Sequence, residues 1–227
     1  MTSTEATDVV LRRGEPSDAE ALVDVHLRAR AAAPMPAPVH DSADMRRWMA
    51  GRLSDVEVWV AEQDGIAVGY ADLETDRPGP GFLHSLYVLP EHARQGVGSL
   101  LLELAKARRP DGFSLWVFES NVPARAFYAR HGLVELERTD GSTNEEREPD
   151  LRMAWPGDRP LEHFRARIDQ VDTELALLLA HRFALTGAVQ GFKPVGGHEG
   201  RDPDREAEIV RGMAARAPGV PTETWRR

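Results

Sequence analysis

The sequence contains no cysteine, fewer cations than anions, and no long apolar run. Without cysteine there is no disulfide framework, thiol nucleophile or thiolate metal site, so any chemistry must use other groups. No apolar run approaches the about 20 residues that span a bilayer, and the start MTSTEATD lacks the basic and apolar regions of a signal peptide. These absences predict a soluble, cytoplasmic protein with no membrane partner.

The charge balance limits the class of partner further. The 28 Lys and Arg residues against 37 Asp and Glu residues give a net charge of -9 over 227 residues. Such a balance argues against a broad nucleic-acid surface. The His, Asp and Glu residues show no metal-ligand spacing, so no metal is expected.

Strand-like and helix-like segments alternate along the first two thirds of the chain, which predicts an α/β fold. VEVWVAEQ and IAVGYADLET flank Asp64-Gly65, a strong hairpin signal, and should pair antiparallel. EPSDAEALVDVHLRARAAA predicts a helix whose apolar stripe is Ala21, Leu22, Val25 and Leu27, and DMRRWMAGRL predicts a second helix. PGDRP at 156–160 ends the strand-rich part, so we predict two domains, residues 1–157 and 158–227.

A glycine turn follows the strand FLHSLYVL and precedes a helix-forming run. Gly96-Val97-Gly98 lacks the third glycine of a dinucleotide fingerprint and the Lys-Ser/Thr of a P-loop, so neither motif is present. The unpaired amides of a helix start could still bind a diphosphate, with Arg94 as a nearby cation. The alternative is that the glycines only ease a strand-to-helix turn.

LYVLPEHARQGVGSLLLELA followed by LWVFESNVPARAFYARHGLVEL resembles the GNAT superfamily of acyl-CoA-dependent N-acetyltransferases, over residues 8 to 155. The resemblance implies a mixed, mostly antiparallel sheet flanked by helices, acetyl-CoA as co-substrate and a small-molecule amine as acceptor. Ala93 departs from the family's Arg/Gln at the first position of the loop. The implied coenzyme site comprises Leu86 and Val88 beside the pantetheine arm, Asn121 at a helix start, and the loop residues Arg94, Gln95, Gly96, Val97, Gly98 and Ser99.

Transfer of an acetyl group to an amine needs a neutral nucleophile and a proton for the departing thiolate. Tyr128 in the segment Asn-x-x-Ala-x-x-Phe-Tyr resembles the family's general acid; the alternative is an aromatic residue that only packs. His84 lies in the stretch where relatives place a polar group facing the amine, and could be the base or a core residue. Glu119, at the end of the next strand, is the alternative base.

The C-terminal part shows apolar residues at alternating steps of three and four, which predict one long helix. These positions are Leu161, Phe164, Ile168, Val171, Leu175, Leu178, Leu185, Val189 and Phe192. Arg182 falls in this seam, where a guanidinium needs an anionic partner. The helical rise puts Arg165 about 42 Å from Lys193, so Arg165 could only complete a site on a neighbouring chain.

FRARIDQVDTELALLLAHRFALTGAVQGFKP and RDPDREAEIV resemble the all-helical chorismate mutase family. The resemblance implies a homodimer in which chorismate or a related dicarboxylate is held by Arg165 of one chain and by Arg182, Lys193 and Arg205 of the other, with Asp202 and Glu206 supporting the site. Catalysis would require only positioning and charge stabilisation. The family's third helix, which supplies a glutamine, should begin at PTETWRR, where the sequence stops. Either the molecule is incomplete as given, or the module has lost mutase chemistry.

Three hypotheses follow. The first is an N-acetyltransferase of a small amine, fused to a chorismate mutase-like dimerisation domain. The second is a chorismate mutase with an accessory coenzyme A-binding domain. The third is a non-catalytic dimerisation or sensor module for coenzyme A or chorismate. The fusion suggests a chorismate-derived amine as the acceptor.

Overall fold

The computed structural model describes residues 8–74, 81–192, 203–217 and 220. The chain divides into two compact units, residues 1–167 and 168–227. The predicted domain boundary at 157/158 stays a prediction.

The elements of the first unit follow the predicted alternation. They are β1 (Val10–Arg13), α1 (Ala19–Ala32), α2 (Ser42–Asp55), β2 (Glu57–Gln63), β3 (Ile66–Glu74), β4 (Gly81–Val88), α3 (Val97–Arg108), β5 (Phe113–Phe118), α4 (Val122–Arg130), β6 (Val134–Thr139) and β7 (Asp150–Trp155). Helix α5 (Pro160–Gly191) begins in this unit and continues into the second, which also contains α6 (Pro203–Arg216).

The seven strands form one sheet in the order β1-β2-β3-β4-β5-β7-β6. All neighbours are antiparallel except β4 and β5, which confirms the predicted mixed, mostly antiparallel sheet. Strands β2 and β3 form the predicted hairpin, in which Asp64 and Gly65 have φ angles of 52° and 75°. Two positive φ angles in a row are typical of the tight hairpin turn whose twist matches the strands.

Strands β4 and β5 are paired over one short segment. The ladder joins Gly81 to Phe113 and Phe82 to Ser114, and the strands pair no further. From Leu83 onward β4 has its other edge paired with β3 but lacks β5 as a neighbour. A gap with free strand edges therefore opens in the middle of the sheet.

Each face of the sheet is covered by helices. Because side chains alternate along a strand, Val58 and Val60 of β2 face one way, where they pack with α1 and α2. Leu115 and Val117 of β5 belong to the opposite core, which contains α3 and α4. The gap between β4 and β5 connects the two faces.

Helices α1 and α2 differ in detail from the sequence prediction. In α1 the buried residues are Leu22, Val23, Val25 and His26, whereas Ala21 is exposed. A polar histidine was not expected in the stripe, but its ring nitrogen is hydrogen-bonded inside the core. Helix α2 starts two residues earlier than predicted, because the Asp41 carboxylate accepts from the amides of Ala43 and Asp44.

The C-terminal part contains the predicted long helix. Helix α5 is continuous over 32 residues, and none of its residues is buried. Its apolar residues from Ile168 onward are exposed, including Ile168, Val171, Leu175, Leu178, Leu185 and Val189. Helix α6 also has no buried residue. Within the described residues, no helix is long and apolar enough to cross a membrane.

Candidate active site

A cavity of about 1040 Å³ lies where β4 and β5 diverge. Its walls come from α1, β4, β5, α4 and the turn before α3. This volume suits a small-molecule site. The separation of two neighbouring strands therefore creates the cavity and exposes strand backbone along its side.

The turn before α3 forms one end of the cavity. Gly96 is the N-cap of α3 with a φ of 95°, and the Leu100 amide donates to the Gly96 carbonyl at 3.0 Å. The amides of Val97, Gly98 and Ser99 therefore precede the first amide that donates within the helix, and they point out of its N-terminus. A Cβ built on Gly96 meets nothing within 4 Å, so the space beside this backbone is open. The turn fits a bound diphosphate.

The predicted coenzyme residues divide into two groups. Those that line the cavity are Leu86, Val88, Arg94, Gly96, Gly98, Ser99 and Asn121. The side chains of Gln95 and Val97 are not among the lining residues. Gln95 donates to the Glu91 carbonyl at 2.7 Å, and Val97 is buried in the core. Only the backbone of these two residues is left for the predicted role.

Helix α4 supplies further groups to this end of the cavity. Asn121 caps the helix by accepting from the Ala124 amide at 3.2 Å. The Ser99 hydroxyl lies 3.1 Å from Nε2 of His131, and Arg130 and His131 both line the cavity. Arg130 and His131 were not predicted from the sequence, although they closely follow Tyr128 at the end of the same helix.

Tyr128 lies in the cavity wall, on α4. Its side chain is buried in the core that contains α3. Burial raises the pKa of the Tyr128 hydroxyl above its ordinary value, and the neighbouring Tyr87 adds to this effect. The phenol therefore keeps its proton at physiological pH.

The two candidate bases are in different environments. His84 lines the cavity from β4, and its Nε2 lies 3.0 Å from Oε2 of Glu74. Glu119 is exposed and is not among the lining residues; its carboxylate accepts from Arg138 at 2.7 Å. The structure brings His84 to the cavity but does not bring Glu119 there.

The wall formed by α1 contains an ion pair that sequence reasoning did not find. Nη2 of Arg30 lies 3.0 Å from Oε1 of Glu146, and the two side chains are only 11% and 17% exposed. Arg30 also donates to the Pro36 carbonyl at 3.2 Å. A second pair, His40 with Glu145 at 2.8 Å, links the same two loops. These contacts join the loops at 33–41 and 140–149 beside the cavity.

Behind this wall lies a buried hydrogen bond between two rings. Nδ1 of His26 and the hydroxyl of Tyr70 are 2.8 Å apart. Burial, together with the nearby charge of Arg30, lowers the pKa of His26 to about 4. His26 is therefore neutral near pH 7, and it supports the cavity wall without carrying charge.

The residues expected to hold chorismate lie on α5 and α6. Arg165 and Arg182 are exposed on α5, and Arg205 and Glu206 are exposed at the start of α6. Lys193 and Asp202 lie outside the described residues. Among the residues that the structure describes, no group of three or more His, Asp or Glu side chains could hold a metal ion.

Two family models match the chain. The acetyltransferase (GNAT) family matches residues 22–133, and chorismate mutase type II matches residues 164–227. An uncharacterized N-acetyltransferase of Archaeoglobus fulgidus is 38% identical over 109 residues, which cover 44% of this chain and 73% of the relative. The peptidyl-lysine N-acetyltransferase YiaC of Escherichia coli is 31% identical over 106 residues, or 46% of this chain and 66% of the relative.

A solved structure supports the fold. The crystal structure of the PaiA N-acetyltransferase from Thermoplasma acidophilum, in complex with coenzyme A, aligns with a TM-score of 0.52 at 21% identity. The alignment covers 66% of this chain and 99% of that one. The chain therefore belongs to the GNAT acetyltransferase family, and its C-terminal part is a chorismate mutase type II domain.

Proposed function

We propose that the protein transfers the acetyl group of acetyl-CoA to the nitrogen of a small amine. The observation that carries this proposal is the left-handed Gly96 at the start of α3, which opens its amides to the cavity between β4 and β5. The neighbour PaiA was solved with coenzyme A, which supports the same ligand here.

The coenzyme would be bound largely by backbone groups. The amides from Arg94 to Ser99 provide donors for the diphosphate, and the partial positive charge of the α3 N-terminus favours the anion. Along β4, the edge near Leu86 and Val88 has no strand partner on the β5 side and can bond to the amides of the pantetheine arm. Bound acetyl-CoA supplies the activated thioester.

Tyr128 is the proposed proton donor to the departing thiolate. Its buried hydroxyl keeps its proton, so a donor is always present as the thiolate forms. His84 is the proposed acceptor of the amine's proton, directly or through water. The Glu74 carboxylate 3.0 Å away would stabilise the imidazolium that results.

A small acceptor is favoured over a protein by the loops beside the cavity. The contacts of Arg30 with Pro36 and Glu146, and that of His40 with Glu145, hold the loops at 33–41 and 140–149 together. A peptide substrate could lie across the cavity at these two loops only if the contacts between the loops were broken. The relative YiaC is named as acting on peptidyl-lysine, so both acceptor classes belong in the test.

The test combines binding with turnover. Calorimetric titration with acetyl-CoA should give a saturable heat with the full-length protein, and thiol release should follow addition of small amines. A panel of small amines and a lysine-containing peptide would be compared at equal concentration. If acetyl-CoA does not bind, the proposed acetyl transfer is wrong. If only the peptide is acetylated, the acceptor is a peptide and not a small amine.

Chorismate mutase activity is the second candidate function, and it requires a homodimer. The C-terminal part matches the chorismate mutase type II family, and the apolar seam of α5 is exposed from Ile168 to Val189. A second copy would cover this seam, and Arg165 of one chain could then complete a site with Arg182 of the other. Loss of chorismate absorbance with protein in excess tests the activity; binding without conversion would favour the sensor hypothesis.

A cytoplasmic location stays a prediction.

A further inference from the structure

The wall of the cavity opposite the α3 core contains an exposed tryptophan. Trp116 of β5 is 41% exposed and lines the cavity, although its neighbours Leu115 and Val117 are buried. Because side chains alternate along β5, Trp116 and Phe118 point to the face away from α3 and α4. A large ring left partly uncovered inside a cavity is available to a ligand.

The other described tryptophans are placed differently. Trp59 and Trp155 pack against the main core. Trp48 of α2 is 38% exposed, but it is not among the residues that line the cavity. Exposure to the cavity therefore distinguishes Trp116 from a tryptophan of equal exposure elsewhere.

Acidic groups lie in the same cavity. Glu146 and Asp150 line it beside Arg30, whose guanidinium is paired with Glu146. The other two lining guanidiniums, Arg94 and Arg130, belong to the coenzyme end of the cavity. Asp150 accepts from Nδ2 of Asn144 at 3.1 Å, so its carboxylate is held in place. An ammonium group is attracted to such a wall, and its positive charge is also favoured near aromatic faces.

We infer that the acceptor is a primary amine that carries an aromatic ring, with the ring lying against Trp116 and the amine held by Glu146. This inference rests on the proposed acetyl transfer and names its substrate class. Trp116 binds the acceptor and takes no part in moving protons. Offset or edge-on contact between two rings adds to the burial of the ligand's apolar surface.

The experiment compares two amines that differ in the ring. Thiol release from acetyl-CoA would be measured with 2-phenylethylamine and with n-butylamine, using full-length wild-type protein. We expect a higher kcat/KM for 2-phenylethylamine. In Trp116→Ala this preference should fall about 3- to 10-fold. The change should come from a higher KM for 2-phenylethylamine with kcat unchanged, because the ring contact is present in both the ground state and the transition state.

Two variants serve as controls. Trp48→Ala removes a tryptophan of similar exposure outside the cavity and should keep the wild-type preference. Trp116→Phe keeps a ring and should restore most of it. Quenching of intrinsic fluorescence by 2-phenylethylamine, expected in wild type and reduced in Trp116→Ala, gives a readout that needs no turnover.

The outcomes separate this inference from the proposed function. Acetylation of both amines with equal kcat/KM, or a preference unchanged in Trp116→Ala, would overturn the aromatic acceptor and leave acetyl transfer in place. Failure to acetylate any amine, with the lysine peptide included, would overturn both.

Discussion

The two units of this chain bury their apolar residues in opposite ways. In the α/β unit Leu22, Leu101 and Phe113 are completely buried by contacts within one chain. On α5 Leu178 is 66% exposed and Phe183 is 81% exposed. Burying one such side chain contributes about 1.5–3 kcal/mol. Covering the exposed apolar residues of α5 would therefore stabilise the helix substantially.

This difference shows which properties each unit can have alone. The α/β unit contains its core, its cavity and its proposed proton donor, so acetyl transfer should be a property of one chain. The helical unit has no buried residue among those described, so its stability should depend on a second chain.

Tyr128→Phe should lower kcat for acetyl transfer about 10²- to 10⁴-fold, because a positioned proton donor is lost. The affinity for acetyl-CoA should be unchanged, as measured by calorimetry, since the ring still fills its buried site. Tyr87→Phe, which removes another hydroxyl from the same cavity, should have a much smaller effect. Equal turnover of Tyr128→Phe and wild type would show that the hydroxyl has no role.

If the proposed homodimer forms through the seam of α5, Leu178→Asp should dissociate it without affecting acetyl transfer. A carboxylate buried without a counter-charge costs about 3–5 kcal/mol, which corresponds to a dimer dissociation constant raised about 100- to 5000-fold. Light scattering during size exclusion should show a change from two chains to one. Ala176→Asp, which adds the same charge beside the seam, should remain dimeric.

The contrast between the units would fail if wild type were monomeric at every concentration tested. It would also fail if Leu178→Asp reduced acetyl transfer in proportion to the loss of dimer. In the second case the cavity of the α/β unit would depend on association.

His26 should make the stability of the α/β unit depend on pH. Its folded pKa of about 4 lies below the ordinary value of 6.5, so the unfolded chain binds a proton more readily between these values. Stability should therefore be complete above about pH 6.5 and should fall by up to about 3 kcal/mol as the pH decreases to 4. Urea unfolding across this range measures the effect.

The control for this titration is an exposed histidine of α5. His26→Gln should remove most of the slope between pH 6.5 and 4, although it will also lower stability at pH 7 through the lost bond to Tyr70. His181→Gln should leave the slope as in wild type. A pH-independent stability in wild type would contradict the buried neutral state of His26.

Local signals explain how much of the fold could be predicted. Three features could be recognised from short segments of sequence: the hairpin at Asp64 and Gly65, the start of α3 at Gly96, and the long helix α5. In each case residues close together in the sequence specify the backbone conformation or the apolar periodicity. The coenzyme end of the cavity is built from such a segment, so most of its residues could be named in advance.

The acceptor wall could not be predicted because distant segments form it. Arg30 and Glu146 are 116 positions apart, and His26 and Tyr70 are 44 apart. No local pattern links such residues, and only the folded sheet brings them together. On α5 the opposite holds: the periodicity correctly predicts the helix, but the part of the chain that the structure describes buries none of its residues. The roles of Tyr128, His84 and the coenzyme residues stay predictions.

Gly96→Ala tests whether the backbone at the start of α3, rather than any side chain, binds the coenzyme. An alanine in the left-handed conformation costs about 1–2 kcal/mol, so the turn should shift and its amides should lose their alignment. We expect acetyl-CoA affinity, measured by calorimetry, to fall about 5- to 30-fold. Gly65→Ala places the same strain in the β2–β3 turn, where φ is 75°, outside the cavity. It should lower stability similarly while leaving the affinity unchanged, so equal affinities of both variants would show that the α3 turn does not bind the diphosphate.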